Sequence, residues 1–436
     1  MTDYNKGLIS FLDKSPTAFH AVSSIKKKLV ASGYFELVES EKWELTEGGK
    51  YFVTRNDSSI IAFRVPRFNF TGFMISAAHS DSPAFKVKEN PEIVENGYVK
   101  LNVEGYGGML MAPWLDRPLS VAGRIIVKNG NKYEVRLVNV DRDLLLIPNV
   151  AIHMNRDANK NQTWNAQVDM LPILGSADET KDTFMRIVAE AAEVNEDEII
   201  SHDLFVYARD KGKVWGGSDE YVSAPHLDDL QCVYGCLEGF LGANNSSSVP
   251  VLAVFDNEET GSLTKQGADS TFLEDVLKRI SLSCSKDEEG YYRAVSSSFM
   301  VSADNAHALH PNHPEKADPV NRPAINKGIV IKFNAAQHYT TDAVSCAVYR
   351  DLCESNDIPI QVFTNRSDSR GGSTLGNVSN AHVSLNTVDI GLAQLAMHSC
   401  YETAGAKDTK YLIDAMTIFY SKAFRTDKAG LFELAD

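Results

Sequence analysis

Apolar residues recur along this chain with two periods, and the periods divide it. In "SPTAFHAVSSIKKKLVASG" the residues Phe19, Val22, Ile25 and Leu29 return at helical spacing. Ser15 as the cap, Pro16 at the first helical position and Gly33 past the last turn predict the ends of that helix. "SSIIAFRV" and "FTGFMISAA" read as strands. After residue 226 strand and helix alternate. "LDDLQCVYGCLEGFL" sets Leu230, Val233, Tyr234, Leu237, Phe240 and Leu241 on one helical face. "VPVLAVF", "SSFMVSA" and "GIVIKFN" are near-continuous apolar runs, the pattern of strands buried on both faces. "DTKYLIDAMTIFYSKAF" predicts an amphipathic helix that closes the chain. Such alternation predicts an α/β sandwich around a mixed, largely parallel sheet.

Residues 97–150 break this rhythm. They are short β-rich segments interrupted by "EGYGG", "VKNGNKY" and "VDRD", and "VKNGNKYEV" reads as a hairpin. At 436 residues the chain is too long for one small core. We therefore expect a discontinuous domain from 1–90 and 227–436, with 91–226 as a β-rich insertion.

Charge and composition narrow the function classes. The formal net charge is −15, with 43% hydrophobic and 23% charged residues. That surface disfavours nucleic acid and anionic membrane. No run reaches the roughly 18 apolar residues of a membrane span, and the first twenty residues lack a secretory pattern. The six cysteines include no CxxC pair and read as reduced, buried, small apolar side chains. A soluble cytoplasmic protein is expected.

Candidate chemistry gathers at strand ends. "GFMISAA" runs into His79 and Asp81, "VPVLAVF" into Asp256, Glu258 and Glu259, and "SSFMVSA" into Asp304. Asp228 begins a helix, and His398 lies in a loop-like stretch before the last one. Ligands of open α/β sheets collect at the carboxyl ends of the strands. Two histidines and three carboxylates form a mixed N/O set suited to zinc, and cobalt or manganese also fit it. One bridging carboxylate lets five residues hold two ions, which can activate water and polarise a carbonyl. A sixth acid can carry the water's proton, a task for one of the adjacent glutamates, Glu258 and Glu259. Asp81, two residues past His79 in an extended segment, can accept the other imidazole N–H. Taken singly, each piece also reads as an ordinary loop acid or core histidine, as His20 does on its helix.

Together the segments "AAHSDSPAF", "HLDDL", "FDNEETGS", "SADNAHALHPN", "GGSTLG" and "LAQLAMHS", in this order, resemble the aspartyl aminopeptidase family of two-metal exopeptidases. The resemblance covers nearly the whole chain. It implies a zinc-exopeptidase-like α/β/α sandwich with two Zn2+ per subunit (Co2+ or Mn2+ as substitutes), an inserted β-rich dimerisation domain, and a tetrahedral dodecamer built from dimers. It further implies that Asp228 bridges the metals, that His79 and Asp304 complete one site, and that Glu259 and His398 complete the other. Glu258 becomes the general base and Asp81 the support of His79.

The resemblance also implies that His153 reaches a neighbouring subunit's active site, to contact substrate or the oxyanion ahead of the alternative of ligating metal, and that Lys332 is the basic pocket residue for an acidic N-terminal side chain. His307 and His310 are expected to line the pocket and His313 to lie on the surface, because Pro311 and Pro314 break any helix through their three-residue spacing. Arg370 stands where other members often carry proline or another small residue. The expected activity is removal of N-terminal Asp or Glu from peptides. The alternatives are a related two-metal exopeptidase or deacylase taking neutral or blocked N-termini, and a non-catalytic shell that keeps the fold.

Overall fold

A computed structural model describes residues 3–369 and 371–435. Its main sheet has nine strands, in the spatial order Phe35–Glu36, Lys50–Arg55, Ser59–Arg64, Val249–Phe255, Phe73–His79, Phe299–Ala303, Asn386–Gly391, Ile329–Phe333 and Ile360–Thr364. The four central strands, Val249–Phe255 to Asn386–Gly391, run parallel. Antiparallel pairings appear toward both sides, so the sheet is mixed and largely parallel, as expected.

Three of those central strands are buried at every position, the price of lying between two helical layers. Successive strand residues point to opposite faces. Met74, Ala78, Leu252 and Val254 join one apolar cluster, with the helices Ala18–Ala31, Leu227–Gly242 and Asp408–Tyr420. Phe73, Ile75, Ala77, Val251 and Ala253 join the other, beneath the helices Phe272–Ser283 and Glu288–Ser296. The architecture is an α/β/α sandwich.

A separate six-stranded antiparallel sheet contains Lys132–Asn139, Leu119–Asn129, Ile199–Ala208, Ala84–Glu95, Tyr98–Tyr106 and Ile173–Ser176, with its own apolar cluster around Phe85, Trp114, Leu204 and Phe184. The predicted hairpin is its edge: Asn129 pairs with Lys132 across a two-residue turn in which Gly130 has φ +59°. The sheet begins at Ala84, ahead of the boundary expected at 91. Residues 213–224, expected inside the insertion, instead pair through Tyr221–Ala224 with Glu402–Gly405. Periodicity could not show this, because the partner strand lies far along the chain.

Two further expectations shift. The first long helix starts at Ala18 with Thr17 before it, and Ser15 is buried with its hydroxyl near Ser24 Oγ. The helix Asp408–Tyr420 does not close the chain, because a hairpin of Ala423–Lys428 and Leu431–Ala435 follows it. All six cysteines are free and buried. Among the described residues no helix is long and apolar enough to cross a membrane. Arg370 lies outside the described residues.

Candidate metal centre

The parallel strands Phe73–His79, Val249–Phe255 and Phe299–Ala303 end on one edge of the sheet, with His79 paired beside Phe255. Their last residues therefore present side chains to a common space. The chain next to Phe255 turns through Asn257 at φ +62° into a single 3-10 turn, Glu258–Thr260, which puts both glutamates at that edge. Asp304 follows Ala303 directly. The helix Leu227–Gly242 opens with His226 at φ +61°, and Asp228 and Asp229 are non-helical. His398, at φ +66°, sits between the strands Ala393–Leu395 and Glu402–Gly405.

Three overlapping groups of donor atoms result: His79 with Asp228, Asp229 and Asp304; His79 with Glu258 and Glu259; and Asp228 with Glu259 and His398. His79 Nε2 stands 3.6 Å from Asp228 Oδ1, and His398 Nε2 stands 3.4 Å from Asp228 Oδ2 and 3.3 Å from Glu259 Oε2. These separations exceed a good N–H···O contact. They match the roughly 3.3 Å between two ligands of a tetrahedral zinc with bonds near 2.0–2.1 Å. Asp228 Oδ1, Asp229 Oδ1 and Glu259 Oε1 are buried with no hydrogen-bond partner among the described residues. Orphaned buried carboxylate oxygens are costly unless a cation meets them, so the donor set fits a metal on its own chemistry.

Both imidazoles are oriented by backbone. Nδ1 of His79 lies 3.0 Å from the Asp81 carbonyl, and Nδ1 of His398 lies 2.6 Å from the Gly108 carbonyl. A carbonyl only accepts, so each Nδ1 carries the hydrogen and each Nε2 lone pair faces the cluster.

Asp81 serves more than His79. Its carboxylate oxygen is 3.5 Å from His79 Nδ1, farther than its own carbonyl. The carboxylate accepts the backbone N–H groups of Glu258 and Glu259, each at 3.2 Å, and the Tyr106 hydroxyl at 2.6 Å. It thereby positions the glutamate turn.

The electrostatics follow from crowding acids in a dry site. Burial, opposed by His79 and reinforced by Asp304, Asp81 and Asp228, raises the Glu258 carboxyl to about 8. Burial and Asp228 raise Glu259 as well. Burial works against the Asp228 charge too, yet the contacts from His398 and His79 hold its carboxyl below the ordinary range. His79 is the converse: burial opposes its charge, while Asp228 and Asp81 raise its pKa. Cations bound here would counter the mutual repulsion of the carboxylates.

Other candidates fall differently. Lys332 is 3% exposed, with Nζ 3.7 Å from Asp304 Oδ1 and donating to the Asn305 carbonyl at 2.9 Å, above the Tyr339 ring. His310 is exposed, accepts from the Asn312 backbone at Nδ1 and lies beside the His313 ring. His307 is exposed at the end of a two-residue strand. His153 is exposed on a turn of the inserted region and belongs to none of the three donor groups.

Sequence reasoning missed Glu402. It is 2% exposed, and its two oxygens accept the backbone N–H of Asp228 at 2.9 Å and of His398 at 2.7 Å. It also missed Asp229, whose Oδ2 accepts from the His79 backbone at 3.1 Å. Asp229 is adjacent to Asp228 in "HLDDL", a signal that was available. Glu402 carries none, since "SCYETAG" resembles any surface strand.

Fold and site together define a metallohydrolase of the α/β class. Residues 11–420 match the family described as aminopeptidase I zinc metalloprotease (M18), and the chain belongs to it. It is thus a zinc metalloaminopeptidase. Among its relatives is a probable M18 family aminopeptidase 2 of Clostridium novyi, 49% identical over 95% of this chain and 98% of that protein. A protein of the same description from Pseudomonas aeruginosa is 41% identical over 97% and 99%. The chain also superposes on solved structures. One is from the cryo-EM structure of the Ape4 and Nbr1 complex (TM-score 0.92, 34% identity, 96% of this chain and 85% of that one). Another is the mApe1 dodecamer of S. cerevisiae (TM-score 0.84, 28% identity, 96% of each chain).

Proposed function

We propose that this aminopeptidase removes N-terminal Asp or Glu from peptides, with Glu258 as general base. The observation that carries the reading is the difference within one turn: Glu259 faces His398 at 3.3 Å and takes part in two donor groups, whereas the neighbouring Glu258 takes part only in the His79 group that the two share. His79, Asp228 and Asp304 would hold one Zn2+ ion, and Asp228, Glu259 and His398 would hold a second. When bound, the ions supply Lewis acidity for activating water and polarising the scissile carbonyl. Glu258 takes the proton from the attacking water and returns it to the leaving nitrogen, so one carboxyl serves both steps. Asp81 holds the backbone amides of both glutamates and so keeps base and ligand in register.

Lys332 supplies positive charge for the acidic side chain, and His310 and His153 contact substrate, His153 from a neighbouring subunit. The subunits form dimers through the inserted domain, here residues 91–226 between the catalytic segments 1–90 and 227–436, and the dimers form a tetrahedral dodecamer in the cytoplasm. The dodecameric yeast relative supports a homo-oligomer. A second reading, preference for neutral N-terminal residues, draws support from the contact of Lys332 with Asp304, which already occupies its charge.

The test is hydrolysis of free and N-acetylated Asp-, Glu- and Leu- substrates by the zinc-loaded protein beside Glu258→Gln. Cleavage of free substrates only, lost in the variant, is the expected result. Faster cleavage of Leu than of Asp and Glu would remove the acidic pocket, and cleavage of blocked substrates would remove the aminopeptidase reaction.

A further inference from the structure

The segment "YGGML", residues 106–110, leaves the inserted sheet at the end of the strand Tyr98–Tyr106 and touches the metal centre at four points. Tyr106 Oη donates to Asp81 Oδ2 at 2.6 Å and accepts from Asn257 Nδ2 at 2.8 Å, so it ties the support of the glutamate turn to the residue that begins the turn. Gly107, at φ +73°, packs against Glu259: a Cβ there would lie 3.0 Å from Glu259 Cβ and 3.4 Å from its carbonyl oxygen. The Gly108 carbonyl accepts from His398 Nδ1 at 2.6 Å. The Leu110 N–H donates to the His398 carbonyl at 3.0 Å. These contacts converge on Glu259, His398 and, through Asp81, Glu258. None falls on Asp304.

We infer that residues 106–110 are the positioning strap through which the inserted sheet sets the ligands of one metal site and the general base. The inference rests on the ligand and base roles proposed above. Tyr106 touches neither substrate nor metal in this role. It holds Asp81 against the two amide groups, and the glycines admit Glu259 and orient His398. The inserted domain is then part of the catalytic apparatus, because a shift of its strand Tyr98–Tyr106 moves Glu259 and His398 together while leaving Asp304 in place.

The experiment uses the full chain freed of metal and titrated with Co2+, followed by visible absorption, together with steady-state kinetics after loading. The variants are Tyr106→Phe and Gly107→Ala, with Tyr98→Phe, exposed on the same strand, as control. Phe at 106 keeps the edge-to-face packing on Phe205, at 5.6 Å between rings, and removes only the hydroxyl. Supporting partners of metal ligands govern roughly 10- to 100-fold in affinity or activity. Tyr106→Phe is accordingly expected to lower kcat about tenfold with KM within about twofold. Gly107→Ala is expected to weaken one of two Co2+ affinities by about 10- to 100-fold and leave the other unchanged. Wild-type behaviour of either variant overturns the inference. Equal loss of both Co2+ affinities in Gly107→Ala also overturns it, since that is loosening of the whole site. If the wild-type protein binds two Co2+ but cleaves no peptide, the functional reading fails, and the Co2+ titration still decides whether the strap controls one site.

Discussion

Lys332 places its ammonium 3.7 Å from the Asp304 carboxylate while lying almost wholly buried. Burial opposes that charge, but Asp304, Tyr339 and Asp389 hold the Lys332 pKa above its ordinary value. The lysine therefore stays charged beside a proposed ligand, where it lowers that ligand's basicity and repels a dication. Lys332→Met should tighten metal retention at one site, measured by competition with a chelator, and should weaken turnover of Asp- and Glu- substrates more than of Leu-. Weaker metal retention in the variant would mean that the lysine organises Asp304 rather than opposing the ion.

The two glutamates should separate cleanly. Glu258→Gln removes the proposed proton carrier, and general acid–base groups contribute about 10²- to 10⁴-fold, so kcat is expected to fall by that order with metal content unchanged. Glu259→Gln removes a proposed metal donor and should lose bound zinc, read by elemental analysis of the purified protein. Matching metal contents in the two variants would show that the roles have been divided wrongly.

Glu402 fastens Asp228 and His398 with one carboxylate. Gln at this position presents an NH2 group to one of two backbone donors, which leaves a buried N–H unpaired at a cost of about 1–3 kcal/mol. Glu402→Gln should lower the thermal midpoint and weaken zinc binding by roughly 10- to 100-fold. Unaltered zinc affinity would show that the backbone alone holds both ligands.

Asp408 supplies a pH prediction away from the cluster. It is fully buried and accepts the Asn326 and Gly328 backbone N–H groups at 2.7 and 3.0 Å. Burial, opposed by those two contacts, raises its carboxyl from 3.8 to about 6. A raised acid contributes stability that is fully present below 3.8 and lost as pH rises through about 6, on the order of 3 kcal/mol in all. Denaturant midpoints of wild type and Asp408→Asn should therefore diverge with pH: the advantage of wild type shrinks from pH 4.5 to 7. A pH-independent difference would place the Asp408 carboxyl at its ordinary value.

Much of this protein was legible in one dimension. The apolar runs at 73–79, 249–255 and 299–303 predict buried parallel strands because a strand covered on both faces has no polar positions to show. Once those strands are parallel, their carboxyl ends share an edge. His79 at the end of one strand, with Asp81, Glu258, Glu259 and Asp304 just past the strand ends, are candidates from that shared edge together with their donor chemistry.

Tertiary structure decided what depends on distant neighbours. Sheet membership of Tyr221–Ala224 is set by Glu402–Gly405, and the supporting roles of Tyr106, Gly108 and Glu402 by chain separations of 25 residues for Tyr106 to Asp81 and 290 for Gly108 to His398. Local pattern cannot encode such contacts. A hydrogen bond from a backbone carbonyl or an ordinary strand glutamate is specified by where the chain returns. The sequence by itself determined which groups are candidates to carry the chemistry, because residue type sets donor set and charge. The three-dimensional packing alone decided which of them are held, by what, and how the inserted sheet is fastened to the catalytic edge.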